Sequence, residues 1–160
     1  MVGLLGLLDG AGIEFWLDGG WGVDALLKEQ TRPHKDVDLV LRLEDVPKVR
    51  QILGARGFAV QDGSPPHSFV LGDGRGHEVD VHAAAFDGQG NGVYRMQNGE
   101  DWIYPAQGFT GRGVIAGRPV RCLSPAVQVS ARRAGTPRRT RTSEMCGCST
   151  NLSASSCPPN

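Results

Sequence analysis

Apolar residues fall into short blocks along the first 130 positions, each with one period and each closed by glycine or charge. Leu4, Leu5, Leu7 and Leu8 form a buried stripe that predicts a helix over residues 2–11, and the compact run 13–17 predicts a first strand. Asp18-Gly19-Gly20 breaks that run, and Trp21, Val23, Ala25, Leu26 and Leu27 predict a helix over 21–28. Residues 37–41 read as a second strand. Residues 46–56 read as an amphipathic helix, with Val46, Val49, Ile52 and Leu53 on one face and Gly57 as its stop. A third strand starts at 58–61, and strands 68–71 and 78–82 pair as a hairpin around Gly72-Asp73-Gly74-Arg75-Gly76. Residues 87–101 are polar and glycine-rich and read as a long loop, followed by late strands at 102–104 and within 113–120. Leu123-Ser124-Pro125 announces a helix, with Ser124 as N-cap and Pro125 at the first helical position, but the apolar pattern stops after Val129.

This order of elements predicts an α+β (mixed α/β) fold, and 160 residues suit one domain. Composition then divides the chain. Residues 1–129 hold 12 basic and 16 acidic side chains, a net of −4, while residues 130–160 hold five Arg and one Glu, a net of +4. The formal net charge of zero is their sum. It excludes an overall polycation, and the acidic body without a basic, aromatic-rich face argues against a nucleic-acid partner. No apolar run approaches a membrane span, and the first residues lack the basic region of a signal peptide, so a cytoplasmic protein with no membrane partner is expected. Cys122 stands alone in the body, which excludes a disulfide framework there.

The candidate chemistry lies in Gly19-Gly20, Asp36-x-Asp38 and Asp80. Two glycines between a strand and a helix let a phosphate approach the backbone, where the N–H groups of a helix start face an anion. In a strand, Asp36 and Asp38 share a face, and two carboxylates at that spacing can hold Mg²⁺. In His77-Glu78-Val79-Asp80-Val81-His82, Asp80 points opposite to its valine neighbours, together with Glu78 and His82, so a third carboxylate converges if the two faces coincide. Taken singly, Asp-x-Asp is more often a solvated strand end and Gly-Gly a plain turn. Their conjunction points to metal-dependent nucleotidyl transfer. The segment Gly72-x-Gly74-x-Gly76 joins two strands and is no dinucleotide fingerprint. Cys146-x-Cys148 with Cys157 falls short of a zinc pattern.

The run Phe15-Trp16-Leu17-Asp18-Gly19-Gly20-Trp21-Gly22-Val23-Asp24-Ala25-Leu26, followed by Thr31-Arg32-Pro33-His34-Lys35-Asp36-Val37-Asp38, closely resembles the lincosamide nucleotidyltransferases and the aminoglycoside 2''-adenylyltransferases. The segment 114–122 also resembles the aminoglycoside enzymes, and the resemblance covers about residues 4–129. It implies the polymerase-β-like nucleotidyltransferase fold, a mixed sheet flanked by helices. It implies transfer of a nucleoside monophosphate, usually AMP from ATP or otherwise from another NTP, to a drug hydroxyl. Carried over by position, Asp36 and Asp38 would ligate Mg²⁺, and Asp80 would be a further ligand or the base. Gly19 and Gly20 would hold the triphosphate. Arg32 and His34 are phosphate contacts or, equally, residues of a solvated loop.

Residues 130–160 contain no Val, Ile, Phe, Tyr or Trp, and are expected to form a disordered, basic, Ser/Thr/Arg-rich tail set apart from a nucleotidyltransferase domain at 1–129. In the resembled family this region is a helical part that helps to close the acceptor site, so that part is expected to be missing or replaced. Reading the possible codons of residues 141–151 two bases forward permits, among other peptides, DFRDVRLLHE, in which only the valine is forced and which has the apolar spacing of an amphipathic helix. A frameshift is therefore expected, with impaired transfer, the alternative for the tail being a natural basic, disordered segment; the alternative for the function is a non-catalytic remnant that binds Mg-nucleotide or nothing.

Overall fold

The computed structural model describes residues 2–133; the expectations for 134–160 lie outside the described residues. The order is α1 (Val2–Gly10), β1 (Phe15–Leu17), α2 (Gly19–Leu27), β2 (Asp36–Arg42), a 3-10 turn at Leu43–Asp45, α3 (Val46–Gly54), β3 (Ala59–Ser64), β4 (Ser68–Gly72) and β5 (Glu78–Phe86). It continues with β6 (Gly92–Arg95), β7 (Asp101–Tyr104), a 3-10 turn at Ala106–Thr110, β8 (Arg112–Ile115), β9 (Arg118–Arg121) and α4 (Pro125–Arg133).

Seven strands form one mixed sheet in the order β1-β2-β5-β4-β3, with β6 paired to β5 and β7 to β6. Only β2 and β5 run parallel, and their register sets Asp36 opposite Glu78, Asp38 opposite Asp80 and Val40 opposite His82. One face of the two strands, Val37, Leu39 and Leu41 with Val79, Val81 and Ala83, joins Leu5 and Leu8 of α1 and Val49 and Leu53 of α3 in the larger core. The other face changes character along its length. It carries Asp38 and Asp80 first, and then Val40 and Ala84, which join Trp16, Tyr94, Tyr104, Phe109, Leu123 and Val127 in a smaller core. The Trp16 indole N–H donates to the Phe109 carbonyl at 2.9 Å, tying β1 to the second 3-10 turn. This apolar cap leaves the carboxylates at the open end of the sheet face.

The mixed sheet flanked by helices is as expected, and three local readings change. Residues 87–101 are not a long loop: β6 lies within them and pairs with both β5 and β7, its alternation of Val93, Tyr94 and Arg95 being too short to stand out beside glycine. The second helix begins at Gly19 rather than Trp21, because Asp18 accepts from the Gly19 N–H at 2.7 Å and supplies the N-cap. The final helix continues past Val129 to Arg133, with Val127 and Ala131 buried one turn apart. Ala131 is too small to have marked that continuation in the sequence.

Candidate active site

Position 19 brings the helix start and the strand carboxylates together. Gly19 has φ +59°, and a Cβ there would lie 1.9 Å from the Asp38 carboxylate. Only glycine permits both that conformation and that approach. Asp38 therefore sits directly beneath the first turn of α2. Its neighbour Asp80 stands opposite it on β5, and His82 follows on the same face. One ligand atom from each of Asp38, Asp80 and His82 lies within 4.8 Å of the others, a grouping able to hold a divalent cation. The His82 Nε2 is 3.8 Å from Asp80 Oδ1. Its Nδ1 is 2.9 Å from the Tyr94 hydroxyl, which donates to Ser68 Oγ at 2.8 Å. This hydroxyl chain fixes the ring plane and leaves Nε2 turned to the carboxylates.

The electrostatics match the crowding. Burial pushes the Asp38 carboxyl up to about 7; His82 opposes this, and the charges of Asp80, Asp36 and Asp18 add to it. Asp80 is raised in the same way, by burial first, with His82 opposing and Asp36, Asp18 and Asp62 adding. Two adjacent carboxyls held above their ordinary range favour any cation that replaces their protons. Asp36 stands apart from the cluster. It is exposed at the start of β2, opposite Glu78, and acts on the other two through its charge. His77 lies outside as well, exposed and paired with Asp73 at 2.6 Å.

Arg32 and His34 come from the segment between α2 and β2, which folds back over Gly20. A Cβ on Gly20 would lie 2.3 Å from His34 Nδ1 and 3.2 Å from Arg32 Nη2. Arg32 is exposed, but the His34 side chain is only 2% exposed, so a solvated-loop reading does not hold for it. The partner that buries it is Asp24, at 2.5 Å. Asp24 flanked the motif in the sequence without a role; its helical spacing from Gly20, one turn back, was the available signal. Tyr94 was hidden in the stretch read as loop.

Two strands away from Asp80, a cavity of about 440 Å³ is lined by Asp62, Ser64, His67, Ser68, Arg95 and Met96 among others. Strand register places Asp62, Val70, Asp80 and Asp38 in one row across four strands, so the cavity continues the row that begins at Asp38.

A glycine-started helix over paired strand carboxylates invites comparison with known proteins. A model of the aminoglycoside-2''-adenylyltransferase family matches residues 1–146. The chain belongs to this family. A lincosamide resistance protein of Staphylococcus haemolyticus is 26% identical over 126 residues, covering 79% of this chain and 78% of its own. A 2''-aminoglycoside nucleotidyltransferase of Escherichia coli is 30% identical over 126 residues, covering 76% of this chain and 64% of its own. The crystal structure of a lincosamide antibiotic adenylyltransferase with lincomycin bound superposes with a TM-score of 0.71 at 26% identity, over 81% of each chain. The nucleotidyltransferase fold expected from the motif is thus the fold of the family. Among the described residues no helix is long and apolar enough to cross a membrane.

Proposed function

We propose that this chain transfers a nucleoside monophosphate, AMP from ATP, to a hydroxyl of a lincosamide or aminoglycoside antibiotic. The observation that carries this reading is the placement of Asp38 and Asp80 side by side, with Asp38 directly under Gly19 at the start of α2. The carboxylate oxygens of this pair suit Mg²⁺, with the exposed Asp36 two residues away as a further oxygen donor. His82 offers nitrogen, which Mg²⁺ disfavours, and serves the carboxylates through its fixed ring. Bound there, Mg²⁺ would supply neutralisation of the triphosphate charge.

The chain's own residues do the rest. Gly19 and Gly20 let Asp38 and His34 close against the first turn of α2, whose N–H groups meet the phosphates with Arg32 alongside. Asp80 takes the proton of the acceptor hydroxyl as the hydroxyl oxygen bonds to the α-phosphorus. The bond from the α-phosphorus to the bridging oxygen breaks in line, and pyrophosphate leaves with that electron pair. Asp62, His67 and Ser68 offer the acceptor's hydroxyl and amino groups hydrogen-bonding partners in the cavity.

The reading includes lowered turnover. After α4, Met145 and Leu152 are the only large aliphatic side chains of the sequence, too few for a helical acceptor wall, consistent with a nucleotidyltransferase domain followed by frameshifted sequence. The same composition favours, as a second reading, a remnant that binds Mg-nucleotide without transfer. Pyrophosphate release from Mg-ATP, followed with and without lincomycin or a kanamycin-type aminoglycoside, tests the two. Acceptor-dependent release supports transfer, and binding of Mg-ATP without release supports the remnant. Sequencing the locus tests the frameshift; an intact frame in independent isolates argues against a reading error.

A further inference from the structure

We infer that Asp24 is a positioning residue for the phosphate side of the site, acting through His34. The inference rests on the proposed nucleotide site. Asp24 lies on α2, one turn after Gly20, and is 1% exposed. Its two carboxylate oxygens are divided between two residues of the following segment. The Thr31 hydroxyl donates to Oδ1 at 2.7 Å, and Oδ2 meets His34 Nε2 at 2.5 Å. The Glu29 N–H also donates to the Asp24 carbonyl at 3.2 Å, so both ends of the segment are tied to one residue. Between them, the exposed Arg32 is carried over the helix start.

The consequence is geometric. With Nε2 fixed on Asp24 and the ring against Trp21 at 4.9 Å between centroids, His34 has one orientation, and Nδ1 is the edge turned to Gly20. Burial of a carboxylate is unfavourable unless hydrogen bonds replace water, and here both oxygens are satisfied by the segment itself. Despite desolvation, the bonds from Thr31 and then His34 hold Asp24 below the ordinary carboxylate range. Thr31 and His34 are the side-chain partners of the carboxylate among the described residues. It touches no reacting atom; it sets the distance of two basic side chains from the backbone that receives phosphate.

The test is a double-substitution cycle with Mg-ATP on the full chain, using Asp24→Asn, His34→Ala and both together, with affinity by calorimetry and Tm recorded for each. Asp24→Asn should weaken Mg-ATP binding about tenfold, the worth of one hydrogen bond to a charged group. His34→Ala should do at least as much, and the double variant should be no weaker than His34→Ala alone. A merely structural role would lower Tm and multiply the two losses, and that result overturns the inference, as does an Asp24→Asn affinity within twofold of the unaltered chain. If the unaltered chain binds no Mg-ATP, the nucleotide reading itself fails, a different result from intact binding that ignores Asp24. If Asp24→Asn does not fold, nuclear magnetic resonance of the unaltered chain decides. The His34 Nε2 proton should remain hydrogen-bonded and slow to exchange with and without Mg-ATP, and its loss on nucleotide binding overturns the inference.

Discussion

Asp38 carries an acid–base consequence that can be measured without any substrate. Below about pH 4 its carboxyl is protonated in the folded and unfolded chains alike, and it makes no difference to stability. Between there and the folded value of about 7, the folded chain keeps a proton that the unfolded chain releases, so stability falls as pH rises. Above 7 the full cost of the buried charge is present, on the order of a few kcal/mol. In chelator, therefore, Asp38→Asn should match the unaltered chain near pH 4 and melt several degrees higher at pH 8. Added Mg²⁺ should close that gap by stabilising only the unaltered chain. Equal melting temperatures at pH 8 would show that the carboxyl is not strained. The same substitution should lower transfer by at least about 100-fold while the chain stays folded, measured as pyrophosphate release.

At the scale of elements, the joint between β1 and α2 does two jobs. Asp18 caps the helix, and Gly19 turns the chain at positive φ with Asp38 immediately beneath. Gly19→Ala should cost about 1–3 kcal/mol in urea denaturation and remove the Mg²⁺-dependent rise in Tm, because its Cβ falls on the carboxylate. Gly54→Ala, with nothing within 4 Å, should be neutral or stabilising by up to about 1 kcal/mol, which controls for general effects of losing glycine. A Gly19→Ala chain that keeps both its stability and its Mg²⁺ response would contradict this account of the joint.

Which of these features the sequence could show follows from their range. Strand parity placed Glu78, Asp80 and His82 on one face, because a period of two is local. That the face is shared with Asp38 depends on β2 and β5 being parallel neighbours, and no residue near either strand encodes the partner. The closing of Asp24 on His34 likewise needs a segment to fold back across ten residues, although each residue was visible. β6 has no legible sequence signal because four residues between glycine-rich turns carry too little periodicity, and its strand character comes from pairing on both sides.

For the whole molecule, the acidic body sets how nucleotide can arrive. With a net of −4 over residues 1–129 and three aspartates near the site, free ATP meets repulsion that a bound cation removes. ATP in chelator should thus bind at least about tenfold more weakly than Mg-ATP, and lowering salt should widen the difference. Equal affinity in calorimetry would place the nucleotide elsewhere. The sheet face itself divides the labour: its apolar half is sealed by Phe109, Leu123 and Val127, and its polar half runs from Asp38 through Asp80 toward the cavity at Asp62 and Ser68.

The central claim is that Asp38 and Asp80 on this face conduct transfer from ATP to an antibiotic hydroxyl. Pyrophosphate release from Mg-ATP, followed with lincomycin and with a kanamycin-type acceptor in the unaltered chain, Asp38→Asn and Asp80→Asn, tests it most directly. Slow, acceptor-dependent release that both substitutions abolish is the expected result; release that survives either substitution, or that no acceptor stimulates, would contradict it.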